Sequence, residues 1–189
     1  MIEIPRRIAD KFMRVIGGDL RSRRLKSPGG DSVRPTPDRL REALFNVLTP
    51  RIEGATFLDA YAGCGSVGIE ALSRGARRVV FIEKSRPALR ALEENIRTLE
   101  VGARAEIHAG NAAPVITKYE ADIVFLDPPY PREREYELCL TALGEAARPL
   151  VIVQHASKFT RHLKESYLQL RRVRILSQGD NSLSFYEPR

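Results

Sequence analysis

From Thr56 onward, apolar runs of strand length alternate with helix-length amphipathic segments, and this rhythm limits the chain to a small set of folds. Strands apolar along their whole length need cover on both faces. Helices lying between consecutive strands supply it, and the strands then run parallel. The candidate strands are 56–61, 78–83, 104–109, 121–127 and 149–155. Between them, 67–73 reads as a helix closed by Gly75, and 86–99 sets Leu89, Leu92, Ile96 and Leu99 on one face. After His155 the pattern changes. A short helical piece near 159–165 precedes two strand-like runs, 168–177 and 182–187, joined as a hairpin through Gly179-Asp180-Asn181. The expected fold is α/β: a doubly wound, seven-stranded sheet, mostly parallel with an antiparallel edge. A chain of 189 residues holds one such domain and a short appendage.

The appendage lies upstream. Residues 13–16 and 20–25 flank Gly17-Gly18-Asp19 and read as an arginine-rich β-hairpin. Arg34-Pro35-Thr36-Pro37-Asp38 then leads into a helix, with Thr36 or Asp38 as its cap and Leu40, Ala43, Leu44, Val47 and Leu48 as a core-facing stripe. Residues 1–12 read as an extension, 13–52 as hairpin and helix, and 53–189 as the main domain. The net charge is +7, and its distribution is more telling than its size. Residues 1–41 carry eleven Lys/Arg against five Asp/Glu, and 158–174 carry six against one. Basic ends of this kind suit a phosphate-bearing partner, with Arg21, Arg23, Arg24, Arg34 and Arg39 as candidate contacts. A solvated arginine-rich surface is the plainer alternative. Cys64 and Cys139 have neither C-x-x-C spacing nor histidine companions, so no metal is expected. Apolar runs such as Leu150-Val151-Ile152-Val153 are too short to span a bilayer, and the first residues lack a signal peptide's apolar core. A cytoplasmic, membrane-free protein is expected.

The first strand of the main domain ends in Asp59-Ala60-Tyr61-Ala62-Gly63-Cys64-Gly65-Ser66-Val67-Gly68. Gly63, Gly65 and Gly68 satisfy the G-x-G-x-x-G spacing of a Rossmann-like nucleotide loop, and Glu83 closes the next strand, where a carboxylate can take ribose hydroxyls. A nicotinamide cofactor is one candidate ligand. Asp59, however, would set a negative charge against a diphosphate, whereas a sulfonium and an ammonium suit it. S-adenosylmethionine therefore fits better. Asn111 and Ala112, after the third strand, can meet an adenine amino group and ring nitrogen. Each feature has a plainer reading: a tight strand-to-helix turn for the glycines, a helix cap for Asp59, a turn or cap for Asn111. Cys64 reads as a small filler.

Asp127-Pro128-Pro129-Tyr130 ends the apolar run 121–126. Two prolines hold the backbone extended and lack N–H groups, so the Asp127 carboxylate and the Pro128 carbonyl become acceptors for a flat molecule's amino group, with Tyr130 covering its ring. An ordinary proline turn is the alternative. The chemistry implied is methylation of an amine.

These residues, in this order, resemble the class I S-adenosylmethionine-dependent methyltransferases. Arg14-Val15-Ile16-Gly17-Gly18, the stretch Arg34-Pro35-Thr36-Pro37-Asp38-Arg39-Leu40-Arg41-Glu42-Ala43-Leu44-Phe45-Asn46, Gly68-Ile69-Glu70-Ala71-Leu72-Ser73-Arg74-Gly75-Ala76 and the Asp127 tetrapeptide are together similar to the RsmD family. That resemblance, running from about Met13 to the C-terminus, implies methylation of the exocyclic N2 amino group of a guanine in small-subunit (16S) ribosomal RNA. It also implies a hairpin and helix that help hold RNA. A monomer acting on ribosomal RNA within a small-subunit particle is expected. By position, Asp59, Gly63, Gly65 and Glu83 would hold the cofactor, and Asp127, Pro128 and Tyr130 the base. The sequence departs twice: Asn111 stands where methyltransferases often have Asp, and His155 where the family commonly has Glu. Three rivals stand beside this reading: an adenine amino-methyltransferase acting on DNA or RNA, a nicotinamide-dependent oxidoreductase, and a non-catalytic RNA-binding module.

Overall fold

In a computed structural model of the chain, residues 13–28, 36–129, 133–146 and 149–189 are described. Residues 1–12, Arg34 and Tyr130 lie outside them. The elements in order are β1 (Met13–Arg14), β2 (Arg24–Leu25), α1 (Asp38–Ile52), β3 (Thr56–Asp59), α2 (Ser66–Ser73), β4 (Arg78–Glu83), α3 (Arg86–Thr98), β5 (Ala105–Ala109), β6 (Ile123–Leu126), α4 (Glu133–Ala146), β7 (Leu150–Ala156), β8 (Ser166–Tyr167), β9 (Leu170–Gln178) and β10 (Asn181–Pro188). The main sheet has the order β5-β4-β3-β6-β7-β10-β9-β8. Its first five strands are parallel, and β10, β9 and β8 each pair antiparallel with their neighbour. The seven expected strands are present, and the two-residue β8 extends the antiparallel edge. From β3 the chain winds outward through β4 and β5, then returns to the other side of β3 as β6. That reversal makes the carboxyl ends of β3 and β6 the topological switch point, the place where open α/β sheets bind ligands.

Side-chain alternation divides the core in two. Phe57, Phe81, Phe125 and Ile152 face α1, α2, α3 and the hairpin, whereas Leu58, Val80, Leu126 and Val153 face α4 and the helical turn at Ser157–His162. The hairpin and α1 share the first of these cores: Met13, Val15 and Leu25 are buried in it, together with Leu40, Leu44 and Leu48 of the expected stripe.

Three local features depart from the sequence reading. The hairpin pairs over only two residues per strand. Gly17 and Gly18 instead carry its backbone onto α2, where the Ile16 and Gly17 N–H groups donate to Glu70 (2.7 and 2.8 Å) and the Leu20 N–H to Ser73 Oγ (2.9 Å). Gly18 has φ +74°, and a Cβ there would lie 1.8 Å from the Ser73 carbonyl oxygen, so the approach requires glycine. Thr36 does not cap α1, and neither does Asp38: the N-cap is Pro37, Asp38 is the first helical residue, and the Thr36 hydroxyl turns to Gln154 instead. Finally, α4 follows the Asp127 segment where the sequence reading assigns no helix. Its buried residues Tyr136, Cys139, Leu140 and Leu143 nonetheless keep helical spacing.

Candidate active site at the carboxyl edge of the sheet

At this edge of the sheet, carboxylates end three neighbouring strands. Asp59, at the end of β3, is 2% exposed and accepts the Gly68 N–H at 2.9 Å, so it braces the first turn of α2. Glu83, at the end of β4, accepts the N–H groups of Gly63, Lys84 and Ser85 at 2.7–2.8 Å. It thereby ties the glycine loop to the next strand; Oε1 takes two of these donors, and Oε2, which takes only the Gly63 N–H, keeps a lone pair for a further donor. Asp127, just past β6, is half-buried and accepts Gln154 Nε2 at 3.0 Å. Burial pushes the Asp59 carboxyl up to about 7, the Gly68 hydrogen bond opposing and the Glu83 charge adding to the rise. Burial, with the Asp59 charge adding to it, likewise raises Asp127 to about 7. Crowded, desolvated carboxylates of this kind attract a positively charged ligand.

The glycine loop is shaped for close approach. Gly63 has φ +56°, and a Cβ on it would meet nothing within 4 Å, so bare backbone faces open space. Gly65, at φ +86°, packs inward, where a Cβ would sit 2.4 Å from Leu92. Cys64 is buried against Met13 (Sγ to Sδ 3.5 Å), as expected of a filler, and burial pushes its thiol up to about 11. Asn111 is exposed and Ala112 buried in the turn after β5. Pro128 is buried and Pro129 exposed. Of the basic candidates, Arg21, Arg23, Arg24 and Arg39 are exposed, the Arg23 guanidinium donating to the Thr98 carbonyl. Among the described residues no group of His, Cys, Asp and Glu could hold a metal, and no helix is long and apolar enough to cross a membrane.

His155 is structural: its ring nitrogens meet the Ala156 carbonyl and the Ser184 hydroxyl, both at 2.9 Å, joining β7 to β10 on the face away from Asp127. Burial holds its pKa below the ordinary value. Two residues that sequence reasoning missed matter more. Gln154 bridges Thr36 and Asp127. Asn95, 3% exposed on α3, accepts the Lys26 N–H and donates to the carbonyls of Lys26 and Cys64, linking the hairpin to the glycine loop. The available signal was polarity at a core position: Gln154 continues an apolar strand, and Asn95 stands on the apolar face of α3.

The chain is similar to known proteins along most of its length. YlbH of Bacillus subtilis is 38% identical over 138 residues, covering 70% of this chain and 74% of its own length. Ribosomal RNA small subunit methyltransferase D of Escherichia coli is 43% identical over 122 residues, but that match covers 64% of this chain and only 61% of the relative. The solved structure of yhhF from Escherichia coli superposes with a TM-score of 0.81 at 32% identity, covering 94% of this chain and 98% of that one. The family model described as Conserved hypothetical protein 95 matches residues 13–187, nearly the whole length. The chain belongs to this family, the RsmD family.

Proposed function

We propose that the protein transfers a methyl group from S-adenosylmethionine to the N2 amino group of a guanine in small-subunit ribosomal RNA, with residues 13–52 helping to hold the RNA and 53–189 forming the methyltransferase domain. The observation that carries the reading is Asp127: a desolvated carboxylate at the switch point, beside Asp59 and followed by Pro128 and Pro129. Family membership and the similarity to ribosomal RNA small subunit methyltransferase D support the enzyme class and the RNA substrate. The site residues fit the cofactor: bare backbone at Gly63, Glu83 for ribose hydroxyls, Asn111 and Ala112 near the adenine, and the negative charge of Asp59 for the cationic end. When bound, S-adenosylmethionine supplies an electrophilic methyl group on a sulfonium.

The chain's own part is to make a poor nucleophile competent. The guanine amino lone pair is delocalised into the ring. Hydrogen bonds from that amino group to the Asp127 carboxylate and the Pro128 carbonyl favour a pyramidal nitrogen, and they stabilise the positive charge that grows on it. Holding the nitrogen in line with the methyl removes much of the remaining barrier. The methylated nitrogen becomes acidic and can lose its proton late, so Asp127 need not be a strong base. The base must leave its stack to reach this edge, which costs a few kcal/mol, and Tyr130 would offset part of that by stacking. Arg21, Arg23, Arg24, Arg34 and Arg39 would contact phosphates.

The test is transfer of labelled methyl groups to unmodified small-subunit particles, naked small-subunit RNA and duplex DNA, followed by identification of the labelled nucleoside. N2-methylguanosine in RNA is expected. Methyladenosine, or labelling of the DNA, would refute the substrate assignment.

A further inference from the structure

We propose that Gln154 is a positioning residue for Asp127, and that Thr36 holds it in that role. The inference rests on the amine-holding reading of Asp127. The parallel register pairs Leu126 with Val153, so Asp127 and Gln154 follow side by side at the ends of β6 and β7. Phe125 and Ile152, two residues earlier on each strand, point into the core beneath α1, and strand alternation turns Asp127 and Gln154 to that same face. There Gln154, 7% exposed, donates from Nε2 to Asp127 Oδ2 at 3.0 Å and accepts the Thr36 hydroxyl on Oε1, also at 3.0 Å.

The order of donors fixes the function. A primary amide has one accepting and one donating end. Because the Thr36 hydroxyl donates to the accepting end, the NH2 end must face Asp127. The amide then pins one carboxylate oxygen without neutralising it and leaves Oδ1 for an incoming amine. An apolar residue at 154 would free the carboxylate to rotate. A glutamate there would add a negative charge beside a group that Asp59 already crowds. The segment from Thr36 into α1, remote in sequence, therefore reaches the methyl-transfer centre through Thr36, besides any part it plays in holding RNA.

The test is a double-mutant cycle read by single-turnover methylation at saturating RNA, with S-adenosylhomocysteine affinity measured by calorimetry on each variant. Gln154→Met keeps the length and removes both hydrogen bonds. It should slow methylation about tenfold through lost alignment while cofactor affinity stays within about twofold. Thr36→Val, which removes only the orienting bond and leaves Gln154 in place, should slow it in the same direction by less. In the Asp127→Ala background, Gln154→Met should add nothing, because its effect passes through the carboxylate. Full additivity in the double variant, or wild-type rates in both Gln154→Met and Thr36→Val beside a crippled Asp127→Ala, overturns the positioning role alone. A near-normal Asp127→Ala rate overturns instead the amine-holding reading beneath it.

Discussion

The buried ion cluster beneath the hairpin gives a prediction whose sign depends on which partner is removed. Glu70 and Arg41 are both fully buried, with Arg41 Nε 3.8 Å from Glu70 Oε2. Glu70 is well satisfied: it accepts two hairpin N–H groups and Arg74 Nε at 2.7–2.8 Å. Arg41 is not. Its Nη2 donates to the Arg14 carbonyl and to Asp38, but Nε and Nη1 have no hydrogen-bond partner, and burial holds its pKa down. Glu70→Gln keeps the shape but turns an amide NH2 toward a backbone N–H and leaves the buried Arg41 with the half-exposed Asp38 as its remaining counter-charge. Breaking a buried pair in this way costs about 3–5 kcal/mol. Arg41→Met leaves Glu70 with three donors and relieves a desolvated cation. Its losses are the bonds to the Arg14 carbonyl and to the half-exposed Asp38, about 1–2 kcal/mol together, against which the relieved desolvation counts. Urea unfolding followed by circular dichroism should therefore show Glu70→Gln less stable than Arg41→Met by about 2 kcal/mol or more. Hydrogen exchange at Ile16 and Gly17 should accelerate only in the first variant. Equal losses of stability would refute the claim that Glu70, and not the ion pair as such, holds the hairpin down.

Glu83→Ala removes the acceptor for three loop N–H groups as well as for ribose hydroxyls, and should weaken cofactor binding by about 1–3 kcal/mol in calorimetry; unchanged affinity in a folded variant would move the ribose elsewhere. Replacing Arg21, Arg23 and Arg24 should flatten the dependence of RNA affinity on salt and leave cofactor affinity intact, whereas an unaltered slope would remove the hairpin from the RNA footprint. Asp59 and Asp127, both raised to about 7, bind protons more tightly in the folded chain than in the unfolded one. Their contribution to stability is thus full below the ordinary carboxylate range and is lost as pH rises through about 7. A bound sulfonium reverses that preference. Titrations near pH 7 in buffers of different ionisation enthalpy should show protons released on binding S-adenosylmethionine, and fewer on binding S-adenosylhomocysteine; equal release would place the sulfonium away from these carboxylates.

The sheet was legible because its determinants are local. Strands such as 78–83 and 149–155 announce themselves by unbroken apolar runs, and the hairpin from β9 to β10 by Gly179, at φ +58°. The candidate carboxylates Asp59, Glu83 and Asp127 stood out for the same reason, since each stands where an apolar run stops. What escaped depends on contacts between distant segments. Thr36 looks like a helix cap because Thr and Asp beside Pro usually are caps, yet its partner lies 118 residues away, and no local pattern encodes that bond. The Gly17-Gly18 pair reads as a hairpin turn, but its glycines are needed because α2 sits directly against them. α4 is amphipathic in the ordinary way, and its charged start, Glu133-Arg134-Glu135, obscures the buried face of Tyr136, Cys139, Leu140 and Leu143. β8 is two residues long and exists only because β9 offers it an edge.

The central claim is that Asp127 holds the target amine at the step of methyl transfer. The most direct measurement pairs single-turnover methylation of small-subunit RNA with calorimetric S-adenosylmethionine binding on the same folded Asp127→Ala protein. Loss of one preorganised transition-state acceptor predicts a rate lower by roughly 100-fold or more, with cofactor affinity nearly intact. A near-normal methylation rate in that variant would contradict the claim.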